Sequence, residues 1–138
     1  MPGPYVHAAL FCDRVLLDAD GSLSAIRIVD RVNVPAEPSE SNPARVSLFL
    51  LVSMRFGDAR PRKIQVEAED PAGERTVVAE AAPVPGAAGV NIYGQLQMGL
   101  NRTGDHWFRV LSDGVEVNRT LLTIAVQPLP EQPSRAQP

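Results

Sequence analysis

The chain has 138 residues, is 44% hydrophobic and carries a net charge of −3. That length fits one domain with its own core, and the apolar content excludes a disordered chain. Basic residues are scattered singly, so no nucleic-acid partner is expected, and no apolar run reaches the ~18 residues of a membrane helix.

The apolar period is 2 almost throughout, which predicts strands. Residues 5–17, "YVHAALFCDRVLL", open the chain as a strand with Val6, Ala8, Leu10 and Cys12 on its core face. Asp20-Gly21 then marks a hairpin turn into a second strand over 23–34. The segment "PAEPSESNPA" (35–44) is a polar, proline-rich loop. Residues 45–55 form a third strand, with Val46, Leu48, Leu50, Val52 and Met54 facing the core. "FGDARP" (56–61) breaks the chain before strands at 62–70 and 74–80, which "DPAGE" joins through Pro71 and Gly73. A short apolar loop, "APVPGAAG" (82–89), leads into "VNIYGQLQMGL". There Val90, Ile92, Leu96, Met98 and Leu100 alternate with Asn91, Tyr93, Gln95 and Gln97. Strands at 105–112 and 115–126 meet at Asp113-Gly114, and a tail with four prolines follows over 127–138.

Eight short strands separated by turns predict a single all-β domain over 1–126, a β-sandwich of mostly antiparallel strands. The ending "TGDHWFRVLSDGVEVNRTLLTIAV" resembles the final hairpin of immunoglobulin-like domains. "HAALFCDRV", "GSLSAIRIVDRV" and "HWFRVLSDG" together resemble a family of small uncharacterised bacterial proteins, a domain of unknown function, across most of residues 5–126. That resemblance implies a single bacterial domain and carries no catalytic residue with it.

Chemical candidates are few. Cys12 and His7 lie five residues apart, on opposite faces of a strand and about 16 Å apart along it, so they do not form a nucleophile and base. Cys12 is expected as a buried apolar residue. Asp18, Asp20 and Gly21 open like a calcium loop, but "GSLSAIRIV" lacks the acid that would complete it. Two histidines and one cysteine do not make a dedicated zinc site. Asp30 has the parity of Ile26, Ile28, Val32 and Val34 and is expected to point inward in an ion pair or hydrogen bond. The chain has no G-x-S-x-G elbow, no phosphate-cradling glycine loop and no H-E-x-x-H, so no enzyme and no cofactor are expected. The N-terminus has no basic start before its apolar run, which points to the cytoplasm.

The more informative pattern is a second apolar set where a plain sandwich would be polar. Tyr5, Phe11, Phe49, Leu51, Trp107 and Leu111 all fall on the parity opposite the core. Either a loop covers them or a partner does. The expectation is an interaction or assembly module that presents this face to a protein partner or to itself, most simply as a homodimer. The alternative is a sandwich that binds a small ligand such as carbohydrate, lipid or calcium.

Overall fold

The computed structural model describes residues 5–57, 62–82 and 88–128, and every regular element among them is a strand. In chain order they are β1 (Tyr5–Leu17), β2 (Leu23–Val29), β3 (Arg31–Val34), β4 (Ala44–Arg55), β5 (Ile64–Glu69), β6 (Arg75–Ala81), β7 (Gly89–Leu100), β8 (Gly104–Ser112) and β9 (Val115–Val126). They form two sheets. The first is antiparallel with order β2-β1-β4-β7, and the second is mixed with order β3-β9-β8-β5-β6.

Nine strands appear rather than eight because the expected strand over 23–34 breaks at Asp30. The piece before it pairs with β1 in the first sheet, and the piece after it runs parallel to β9 in the second. Asp30 is exposed, not inward, and its carbonyl accepts the Thr123 amide at 3.0 Å. The polar residue thus serves the crossover between sheets.

The core lies between the sheets. Val46, Leu48, Leu50, Val52 and Met54 of β4 face Ile64 and Val66 of β5, Phe108 and Val110 of β8, and Leu122 and Ile124 of β9 in one buried cluster. Phe11 and Phe108 meet edge-on across the layers, ring centres 4.7 Å apart at 74°, the geometry that a ring's quadrupole favours. Thr120 of β9 donates its hydroxyl to the Ala9 carbonyl of β1 at 2.9 Å and ties the sheets together along that side.

Turn chemistry fits the hairpins. Asp113 and Gly114 have φ of 49° and 84°, the double left-handed conformation of a tight two-residue hairpin. At the β1–β2 turn, Asp20 accepts the Ser22 amide at 3.0 Å and the Ser22 hydroxyl at 2.6 Å, so this aspartate is committed to the turn itself. Ser22's hydroxyl, then its amide, hold the Asp20 carboxyl below its ordinary pKa.

Candidate functional site

The parity of β1 changes at one residue. Val6 pairs with Met54, but Ala8 pairs with Ser53, so His7 is an extra residue in the strand. A one-residue slip exchanges the two faces of everything beyond it. Val6 packs on the core, and beyond the bulge Ala9 and Phe11 do so. Leu10 and Cys12 are thereby turned to the outer face. Phe11, expected on the second apolar face, is instead a core residue with 1% exposure.

The register places two apolar rows side by side on the outer face of the first sheet. One row runs Tyr93, Leu51, Leu10, and the next runs Phe49, Cys12, Ile28. Cys12 and Leu51 are buried, Leu10 and Phe49 half-buried, while Tyr93 and Ile28 stand 44% and 64% exposed at the two edges. Gln95 lies across from Phe49 at the β7 end of the second row, and polar pairs on β4 and β7 bound the two rows. Ser53 donates to the Asn91 side chain at 2.7 Å on one side, and Gln95 donates to Ser47 at 2.8 Å on the other. An apolar centre with a polar rim is the anatomy of a protein interface. Burial pushes the Cys12 thiol above its ordinary pKa. Its Sγ lies 3.4 Å from the Arg14 carbonyl, so it is a neutral, weakly donating thiol here.

The other expected interface residues lie elsewhere. Tyr5 is exposed at the end of β1, its ring edge-on to His7 with centres 5.5 Å apart. Trp107 and Leu111 are on the outer face of the second sheet, and that face is charged. Arg109, its side chain 13% exposed, is ringed by Glu67, Glu69 and Glu116. Arg119 pairs with Glu116 at 2.9 Å and lies over the Trp107 ring, 5.5 Å from its centre. Trp107 therefore packs under a guanidinium. The six residues do not share one surface. Sequence reasoning missed Leu10, Cys12, Ile28 and Tyr93. Tyr93 was visible as the one large ring among the amides Asn91, Gln95 and Gln97.

A second feature is a cleft of about 290 Å³ where the two sheets part, between β6 and β7. Val78, Met98 and Leu100 supply apolar walls, and Asp70, Glu74, Gln97 and Asn101 supply polar groups. His106 lines it while only 2% exposed. Its Nε2 lies 3.0 Å from the Arg102 carbonyl, which can only accept, so Nε2 carries a proton there. Among the described residues no cluster of histidine, cysteine and carboxylate side chains is placed to hold a metal ion. Among them, too, no helix is long and apolar enough to cross a membrane. The apolar loop at 82–89, which is the candidate to cover the second apolar set if a partner does not, lies largely outside the described residues, at 83–87.

Fold and surface together define a two-sheet all-β domain with one apolar outer face. Residues 7–125 match the family of unknown function DUF6941, and the chain belongs to that family. No curated protein matches it. Among solved structures it is similar to a Pseudomonas fluorescens alkylpurine DNA glycosylase, AlkC, bound to DNA containing an abasic site analog. The TM-score is 0.52 at 10% identity, over 89% of this chain and 30% of that one. The likeness is one of fold. It nevertheless corrects two expectations, that the chain is no enzyme and that it has no nucleic-acid partner. A domain of this shape forms part of a DNA-bound enzyme, so missing motifs and scattered arginines exclude neither class.

Proposed function

We propose that this domain is an interaction module that presents the outer face of its first sheet to an apolar protein surface, on another chain or on its own copy. The observation that carries the reading is the pair of adjacent apolar rows, Tyr93-Leu51-Leu10 and Phe49-Cys12-Ile28, bounded by the hydrogen-bonded pairs Ser53–Asn91 and Ser47–Gln95. A solvated sheet face would carry polar side chains at these positions. In the glycosylase the similar region is 30% of the chain, which accords with a domain that works as one part of a larger assembly. We also read the fold as a variant of the immunoglobulin sandwich. The neighbours β4–β7 and the order β5-β8-β9 correspond to its B–E and C-F-G pairings, with β1 inserted between β2 and β4. Copurification tests the function. The native chain retains a partner that Ile28→Lys loses at unchanged melting temperature, and equal recovery by both would overturn the reading.

The cleft favours a second reading, a small ligand with an apolar body and one polar head received by His106. Titration with such amphiphiles would raise the melting temperature of the native chain and not of His106→Gln. At a hundredfold excess over Kd the stabilisation is about 2.7 kcal/mol.

A further inference from the structure

Each sheet has two edges, and three of the four are guarded. Edge strands expose unpaired amides and carbonyls, and proteins blunt them with charge, shortness or backbone distortion. On β2, Arg27 has a φ of 58°, which distorts the edge, and it holds Asp13 at 2.9 Å. Strand β3 is four residues long and begins with Arg31. Strand β6 carries Arg75 and Glu80, both in ion pairs. Strand β7 has none of these devices. It runs twelve residues, "GVNIYGQLQMGL", with no charged residue and no proline, and pairs with β4 along its whole length. On its other side no strand among the described residues pairs with it.

The order of residues in β7 says what would fit there. Around Gly94 the strand is a palindrome of residue types at every pair except the innermost, Tyr93 and Gln95. Tyr93 mirrors Gln95, Ile92 mirrors Leu96, Asn91 mirrors Gln97, Val90 mirrors Met98 and Gly89 mirrors Gly99. Two antiparallel copies related by a two-fold axis through Gly94 would make those pairs their cross-strand neighbours. Each pair has even residue sum, so both members point to the same face. The inner face then sets apolar beside apolar, and the outer face sets Asn91 beside Gln97 and Tyr93 beside Gln95. No like charges meet, which is the usual obstacle to a strand pairing with itself. At the axis stands Gly94, around which an added Cβ would meet no described atom within 4 Å, so no side chain crowds the sheet face where the two copies would meet.

We infer that a second copy of this chain pairs with β7 through its own β7, antiparallel and centred on Gly94. The contact is isologous and uses one edge per copy, so it closes at two chains. It joins the two four-stranded sheets into one continuous sheet. It is carried by the edge of β7 and does not depend on the outer-face reading, since Ile28 lies on the opposite edge strand.

Light scattering at tens of micromolar tests it. The native chain is expected at twice its 14.9 kDa mass. Asn91→Lys/Gln97→Lys sets lysine opposite lysine on both sides of the axis and is expected to give a monomer. Mixing it with Asn91→Glu/Gln97→Glu is expected to restore the doubled mass. A native monomer, a native assembly larger than two, or a doubled mass in the lysine variant alone would each overturn the inference. Hydrogen exchange on the native chain keeps the test independent of whether the variants fold. Protection in residues 89–100 is expected to rise with protein concentration, and protection that ignores concentration would also overturn it.

Discussion

Phe11 and Ile28 sit on neighbouring strands with opposite fates. Phe11 fills the core against Phe108, so Phe11→Ala removes a ring that the packed sheets cannot replace. It should lower stability by about 3–5 kcal/mol in a denaturant titration. Ile28 is exposed on the outer face, and Ile28→Lys should change stability by no more than about 0.5 kcal/mol. The charged face of the second sheet predicts a similar contrast. Arg109 is largely enclosed by three glutamates, and Arg109→Met leaves those carboxylates facing one another, so a loss of about 1–3 kcal/mol is expected, discounted for their partial exposure. Arg119 is 46% exposed, and Arg119→Ala should cost less than about 1 kcal/mol. For Cys12 the sign follows from burial. Its folded pKa is raised, so its contribution is fully present below the thiol's unfolded pKa. That contribution is lost as pH rises through the folded value. A disulfide reagent at neutral pH should label Cys12 slowly in the native chain and fully after unfolding; fast native labelling would show the outer face open at its centre.

Strands and turns divide into those whose sequence declares them and those that depend on a partner. Strands β4 and β7 alternate without interruption, and both were legible as strands with one core face. The Asp113-Gly114 turn was legible because only glycine takes its φ of 84° without strain; Gly114→Ala should cost about 1–2 kcal/mol by thermal unfolding. Strand β1 was legible as a strand but not in its facing. The bulge at His7 carries no glycine or proline to announce it, and it exists because β4 offers one residue fewer over that stretch. That single residue moved Phe11 inward and Cys12 outward. The break at Asp30 was hidden for a similar reason. Its surroundings keep a strand-like alternation, and only the competition of two sheets for the segment decides where it ends.

At the scale of the molecule, the apolar outer face comes from four strands, the β1–β2 hairpin and the sequence-distant β4 and β7, and strand order is non-local. This is why Phe49 and Leu51 could be seen as anomalous but not grouped with Ile28 and Tyr93. It is also why Trp107 and Leu111 were grouped with them wrongly. The domain thus has two differently built outer surfaces, one apolar with a polar rim and one held by a guanidinium–carboxylate network, and only the first lacks partners for its side chains among the described residues. Site-specific photo-crosslinking in cells tests this asymmetry most directly, with a benzophenone side chain placed at Ile28 on the first face or at Arg119 on the second. A discrete crosslinked protein is expected from position 28 and none from position 119; crosslinks from 119 alone, or from neither, would contradict an apolar first face that receives a partner.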